Sequence, residues 1–384
     1  VQMGINPFGF SWLLKPGESF QTPESVMVYS DAGLGQMSRR FHAFYRERLC
    51  RGVYKDKKRP VLVNNWEATY FDFSETKIKE IAQEAADLGI ELFVLDDGWF
   101  GHRDDAKTSL GDWYVNKQKI PHGLDTLANE INQLGLKFGL WFEPEMVSPD
   151  SDLYRAHPDW CIHAPERERS LGRNQLILDF SRKDVCDAIT EMISHVLSTA
   201  SVSYVKWDMN RYMTELGSAL LAPERQSETA HRYILGVYRV IEELNERFPD
   251  ILFESCASGG GRFDPGMLYY MPQTWTSDNT DAVQRLKIQY GASLVYPIIS
   301  MGSHVSATPN HQVGRITPLE TRGRVAMSGN FGYELDLTEL SQEEKQIVRN
   351  QVKRYKQIMR IHYMDNVTGV TGGKLKIPVF SHQK

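Results

Sequence analysis

Leu92-Phe-Val-Leu-Asp-Asp-Gly-Trp99 sets four apolar residues directly against two carboxylates. The apolar run has no polar alternation, so it predicts a strand covered on both faces. Asp96 and Asp97 emerge at its carboxyl end. Upstream, residues 74–88 predict a helix with Ser74 as N-cap, Ile78, Ile81 and Ala85 on one face, and Gly89 just past its end. Downstream, residues 123–134 predict another that ends at Gly135.

The same alternation runs along the chain. Val61–Trp66, Lys137–Phe142, Leu176–Phe180, Tyr204–Trp207, Ile251–Glu254, Thr274–Thr276 and Leu294–Ile299 predict strands. Helices are predicted over 182–199, after Ser181, and over 224–247, closed by Pro249. Apolar strands with helical crossovers indicate a parallel sheet buried on both faces. Residues 60–340 suit an α/β fold of the (β/α)8 TIM-barrel type, whose usual size is ~250 residues. A doubly wound open sheet is the alternative.

The ends differ from this centre. Residues 1–30, rich in Gly, Pro and Ser, read as the tail of a β-rich module. Residues 31–50 read as a helix with Phe41, Phe44, Tyr45 and Leu49 as a packing stripe. Residues 341–359 read as a charged helix, and the Gly-rich stretch beyond about 365 carries no clear signal.

Across 384 residues, 44 Lys and Arg against 49 Asp and Glu leave a net charge of −5. That removes nucleic acid as a default partner, because phosphate binding needs an excess of cations. No apolar run approaches the ~18 residues of a membrane span, and no signal peptide is visible. Cys50, Cys161, Cys186 and Cys256 form no C-x-x-C pair and match no zinc spacing. Reduced thiols in a cytoplasmic protein are expected. The chain begins at Val1, as a trimmed or truncated chain would.

In a barrel, functional groups sit at the carboxyl ends of strands. There the sequence places Asn64, Asn65 and Trp66, then Asp96 and Asp97, then Glu143 and Glu145, then Asp179. Lys206, Asp208 and Asn210 follow, then Glu254 and Cys256, then Asp278. A rim so rich in carboxylates points to chemistry, since each buried carboxylate needs a partner. Strand period puts Lys206, Asp208 and Asn210 on one face, toward the barrel mouth, with Trp207 and Met209 on the other. A lysine near an aspartate favours the anion, either as a nucleophile or electrostatic stabiliser or as half of a structural ion pair.

Asp278 is read either as a second carboxylate facing Asp208 or, with Ser277 and Thr280, as a helix cap. Asp281 is read as a first-turn acid of the following helix. Asp96-Asp97 is open to a metal or a pair of sugar hydroxyls, but no zinc motif accompanies it. His304 and His311 flank a turn and are read as structural. Among the indoles, Trp207 and Trp275 are assigned to core, while rings at a carboxylate rim suit a sugar's apolar face. Gly259-Gly260-Gly261 lacks the Lys-Ser/Thr of a P-loop and is read as close backbone approach to substrate.

Leu95-Asp-Asp-Gly-Trp-Phe-Gly101, Trp141-Phe-Glu-Pro-Glu-Met146, Lys206-Trp-Asp-Met-Asn-Arg211, Glu254-Ser-Cys-Ala-Ser-Gly-Gly-Gly261 and Ser277-Asp-Asn-Thr-Asp281 together resemble the glycoside hydrolase family 36 α-galactosidases. The motifs occur in family order and span about residues 5–363. The resemblance implies a retaining α-galactosidase with Asp208 as nucleophile and Asp278 as general acid/base. It implies Asp96 and Asp97 on the O4 and O6 side of galactose. It further implies Lys206, Asn210, Arg173 and Cys256 as sugar contacts, and Trp66 and Trp141 as aromatic walls. Arg173 enters only through the resemblance. No cofactor and no metal are implied.

Retaining chemistry needs carboxyl groups about 5–5.5 Å apart. Galactoside oligosaccharides of the melibiose and raffinose type are the implied partners. A transglycosylase or raffinose-type synthase remains open, as do an inactive galactoside-binding chain and, ranked lower, an α-N-acetylgalactosaminidase. Family members carry an N-terminal β-supersandwich and a C-terminal β-sandwich. Here residues 1–30 correspond to the end of the former and 31–59 to a linking helix. Residues 60–340 correspond to the catalytic barrel, and 341–384 to a C-terminal helix and the start of a further segment. The stretch after Tyr363 does not continue in the family manner. A homotetramer is implied for the full-length form.

Overall fold

The computed structural model describes residues 3–363. Eight parallel strands close into a barrel: β1 Leu62–Asn64, β2 Leu92–Leu95, β3 Lys137–Phe142, β4 Tyr204–Trp207, β5 Leu252–Ser255, β6 Gln273–Trp275, β7 Met301–Ser306 and β8 Asn330–Glu334. Each pairs with its neighbours in chain order, and β1 meets β8 through Leu62↔Gly332 and Val63↔Tyr333. The barrel expectation therefore holds over the open sheet.

One outer helix follows each strand: α1 Glu75–Asp87, α2 Leu124–Gln133, α3 Lys183–Thr199, α4 Thr229–Arg247, α5 Pro265–Tyr270, α6 Ala282–Ser293, α7 Leu319–Ala326 and α8 Gln342–Tyr363. Ser74 caps α1 by accepting the Lys77 N–H at 3.3 Å. Gly89 and Gly135 follow α1 and α2 in the left-handed region, where a Cβ is costly. The predicted 224–247 helix opens as a 3-10 turn over Pro223–Glu228 before α4 begins. Arg182, not Ser181, occupies the N-cap position of α3, and the Ser181 hydroxyl instead donates to Asp179.

Two predicted strands lie outside the barrel. Leu176–Ile177 pairs antiparallel with Met146–Val147, because the edge of β3 is already taken by β4 from Gly139↔Tyr204 onward. Leu294–Ile299 is not a strand. Leu294 closes α6, and Ile298–Ser300 is a single 3-10 turn after Pro297. That apolar run serves the preceding helix Gly33–Phe44 and its continuation Tyr45–Leu49: Tyr296 stacks on Tyr45 at 5.5 Å, and Ser38 donates to the Leu294 carbonyl. Tyr45 is buried there as expected, but Phe44 of the predicted stripe is exposed.

The overlooked strands are β7 and β8. Their residues facing the lumen are polar or small: Gly302, His304, Asn330, Gly332 and Glu334. A Cβ on Gly302 would crowd Glu254 and Trp275, and one on Gly332 would crowd His304. His304 sits within β7, not beside a turn.

Among residues 3–30 no helix or strand forms. The segment attaches at the start of α4, with the Leu13 N–H donating to Oε1 of the N-cap residue Glu228 at 2.9 Å and Arg232 lying over the Trp12 ring at 4.5 Å. The expectations for residues 364–384 lie outside the described residues.

Where α4 crosses the chain leading into α3, a Cβ on Gly236 would run into the main-chain carbonyl of Phe180. Rigid backbone cannot give way as a flexible side chain does. Gly236→Ala is expected to destabilise the chain by about 3 kcal/mol, read as a lower midpoint in denaturant or heat.

Candidate active site

A cavity of about 380 Å³ opens at the carboxyl ends of the strands. Asp96, Asp97, Trp66, Trp141, Arg173, Lys206, Asp208, Asn210 and Asp278 all line it. The resemblance-derived set is thus gathered in one place from separate loops, with Cys256 as the exception.

Asp208 follows β4 and is buried. Its Oδ1 accepts the Met209 N–H at 2.8 Å, and its Oδ2 accepts from Asn210 Nδ2 at 2.7 Å and Trp141 Nε1 at 3.2 Å. The Cys256 thiol lies behind it, fully buried, and is pushed well up by burial and by the Asp208 charge. Glu143 lines the same wall and accepts from the Asn210 N–H and from Gln175. Burial, then Asp208, pushes its carboxyl well above the usual range.

Asp278 faces Asp208 from the turn after β6. It is not a helix cap. Asp281 caps α6 by accepting the Gln284 N–H at 3.0 Å, which leaves Asp278 free for the cavity. Its side chain is open to the cavity and accepts the Trp275 Nε1–H at 3.2 Å. The protein packed around it, and then the Asp208 charge, hold its carboxyl above the ordinary value. The turn itself is gripped at three successive carbonyls. Arg285 donates to Ser277 O at 2.6 Å and to Asn279 O at 2.9 Å, and Gln312 donates to Asp278 O at 2.8 Å. Arg285 also lies over the Trp275 ring at 4.2 Å. Trp275, assigned to core from sequence, is therefore a wall of the cavity.

Asp96 and Asp97 each face a cation of their own. Asp96 Oδ2 accepts from Lys206 Nζ at 2.9 Å and from Asn64 Nδ2 at 2.5 Å. Burial raises the Asp96 pKa while Lys206 opposes the shift. Asp97 takes a bidentate pair from Arg103, Nε to Oδ1 at 3.0 Å and Nη2 to Oδ2 at 2.9 Å. Among the described residues, no group of three or more His, Cys, Asp or Glu is placed to hold a metal ion.

Arg173 reaches the rim from a loop, in the left-handed region. Its Nη1 donates to Ser258 Oγ at 3.3 Å, and Ser258 Oγ donates to Asn210 Oδ1 at 3.0 Å. The chain of contacts ends on Asp208. The glycines after Ser258 approach protein, not an open substrate space: Cβ atoms on Gly259 and Gly260 would strike the backbone of Ser277 and Thr276. They let the loop after β5 lie against the turn that carries Asp278.

Two residues of the predicted rim, Glu145 and Asp179, prove structural, as does Trp99 just past β2. Trp99 is fully buried and donates to the Trp141 carbonyl at 2.9 Å. Glu145 is sealed among Arg262, Tyr233 and Trp207. Asp179 is buried and held by Ser181 and Ser218. Conversely, Glu67, Arg103, Glu334, His311 and Gln312 line the cavity and were not selected from sequence. Glu67, beside Trp66 at the end of β1, was within reach of the strand-end reading.

Residues 19–364 match the family model described as Melibiase. The chain belongs to the melibiase family. It is 70% identical over 361 residues to alpha-galactosidase AgaA of Geobacillus stearothermophilus, covering 94% of this chain and 50% of that protein. It is 56% identical over 361 residues to alpha-galactosidase Mel36A of Lactobacillus acidophilus, covering 94% and 49%. The crystal structure of AgaA superposes with a TM-score of 0.93, covering 94% of this chain and 50% of that one. A variant of AgaA in complex with raffinose gives 0.93 at 69% identity, with the same coverage. This melibiase-family chain spans about half the length of the relatives it matches.

The Arg103–Asp97 pair is buried on both sides. Arg103→Met would strand the Asp97 charge, and a loss of about 3–5 kcal/mol in unfolding free energy is expected, measured by denaturant titration.

Proposed function

We propose that this chain carries the catalytic barrel of a retaining α-galactosidase acting on terminal α-galactosyl units of melibiose- and raffinose-type oligosaccharides. The observation that carries the reading is the unequal treatment of two carboxylates at one cavity. Donors converge on Asp208, whereas Asp278 is biased toward holding its proton. Support comes also from the identity to named α-galactosidases and from the raffinose and stachyose complexes of AgaA variants.

In the proposed mechanism Asp278 protonates the leaving oxygen while Asp208 attacks the anomeric carbon, giving a covalent glycosyl-enzyme. Water, deprotonated by Asp278, then releases galactose with retention. Asp96 and Asp97 would take the O4 and O6 hydroxyls, each held in place by its cation, Lys206 or Arg103. Lys206, Asn210 and Arg173 would bind the remaining hydroxyls, and Trp66 and Trp141 would pack on the sugar's apolar face. Cys256, buried behind Asp208 and outside the cavity lining, would back the nucleophile rather than touch the sugar.

In this reading residues 60–340 form the catalytic barrel. Residues 1–30 and 31–59 are the end of an N-terminal β-supersandwich and its linking helix, and 341–384 lead into a C-terminal segment. The longer protein would be a cytoplasmic homotetramer. The four cysteines are unpaired and buried, which suits a reducing compartment, and Phe8, Met27 and Tyr29 are exposed apolar residues on the segment nearest that sandwich. A second reading follows from the chain spanning half of its relatives: galactoside binding without turnover.

Hydrolysis of 4-nitrophenyl α-galactoside separates the two. The chain is expected to turn it over, Asp208→Ala to lose at least about 10³-fold in kcat, and a fluorinated galactoside to leave a mass label on Asp208. Folded protein that binds galactose without turnover would establish the second reading. On the alkaline side, kcat/KM is expected to fall as pH rises through the raised pKa of Asp278, because the acid must enter the reaction protonated.

A further inference from the structure

We propose that Glu67 is a positioning residue for the proton donor: it ties the turn carrying Asp278 to the turn carrying Trp66, so that acid and aromatic wall are set as one unit. The proposal rests on the assignment of Asp278 above.

Glu67 opens the short helix Trp66–Thr69 at the end of β1. Its side chain is only 3% exposed. Oε1 accepts the Thr280 hydroxyl at 2.8 Å, and Oε2 accepts the Ala307 N–H at 3.3 Å. Thr280 lies two residues past Asp278. Its hydroxyl also accepts from Asn310 Nδ2 at 3.0 Å, so its single proton is committed to Glu67. Asn310 Oδ1 in turn accepts the Gln312 N–H at 3.1 Å, and the Gln312 side chain donates to Asp278 O. A closed path of hydrogen bonds thus runs from Glu67 through Thr280, Asn310 and Gln312 to the acid's own backbone. It joins the loops after β1, β6 and β7.

A carboxylate is an expensive choice for this task. Burial, and then the Glu334 charge from β8, raise the Glu67 pKa, while Arg285 of α6 opposes the shift. His311 Nδ1 stands 3.4 Å from Oε1, and Arg322 of α7 and Tyr70 also feel its charge. A buried acid costs more than an apolar filler of the same volume. What the side chain supplies is two oxygens, one for each loop. Arg285 fixes the acid's turn from the α6 side, and Glu67 fixes it from the β1 side.

Positioning of this kind makes a prediction that depends on the leaving group. Sugar leaving groups need the proton of Asp278, whereas fluoride leaves with little help. Loss of the clamp should therefore fall on one substrate and spare the other. The test compares kcat/KM for melibiose and for α-galactosyl fluoride in the unaltered chain, Glu67→Ala, Glu67→Gln and Thr280→Val, each checked for folding by thermal unfolding.

Glu67→Ala and Thr280→Val are each expected to lose about 10- to 100-fold on melibiose and less than about 3-fold on the fluoride. The double variant should lose little more than either single one. Glu67→Gln keeps one acceptor and should fall between. Azide, a nucleophile that needs no base, should speed turnover of the fluoride by Glu67→Ala. Equal losses on both substrates, or no loss in Thr280→Val, would overturn the proposal and leave Glu67 a packing residue. If the unaltered chain hydrolyses neither substrate, the functional reading itself fails and this inference falls with it.

Discussion

Two carboxylates that share one cavity cannot both ionise freely, and the architecture around Asp208 and Asp278 answers that constraint. Repulsion at close range raises the pKa of whichever group is less well stabilised. Asp208 receives hydrogen bonds from Met209, Asn210 and Trp141. Asp278 receives one, from Trp275. Burial, and then the Asp208 charge, raise the Asp278 pKa. Glu143, on the same wall, is shifted in the same direction by burial and then by the Asp208 charge.

Two further carboxylates of the cavity each have a cation. Lys206 serves Asp96, and Arg103 serves Asp97. Buried ions paired this way are costly to remove singly, which makes the pocket rigid at the points where hydroxyls would bind. Rigidity on the opposite side comes from backbone. Arg285 and Gln312 hold the carbonyls flanking Asp278. Gly259 and Gly260 allow the neighbouring loop to lie against the same turn. The loops of the rim therefore brace one another.

Much of this was legible in the residues. The apolar runs at Val61, Leu92, Lys137 and Tyr204 became β1 to β4, and the carboxylates that follow them became the rim. The reading failed where apolarity and strand parted company. β7 and β8 carry glycines and polar residues because the barrel's lumen is crowded and hydrogen-bonded on that side, whereas Leu294–Ile299 is apolar because it packs under an earlier helix. Glu145 and Asp179 have the same sequence context as Glu143 and Asp96, yet they point into structural clusters. Trp275, expected in the core, lines the cavity, while Trp99 at the end of β2 is fully buried.

By itself the sequence determined the alternation of strand and helix that marks a barrel, the side of β4 and its extension that carries Lys206 and Asp208, and the motif set that marks the melibiase family. Those are properties of local periodicity and of residue types at fixed spacing, and both are written along the chain. Only the tertiary structure decided which acids share a cavity, which cation each one takes, and that Asp281 rather than Asp278 caps α6. Those outcomes depend on groups far apart in sequence meeting at distances of about 3 Å, and no one-dimensional pattern records such meetings.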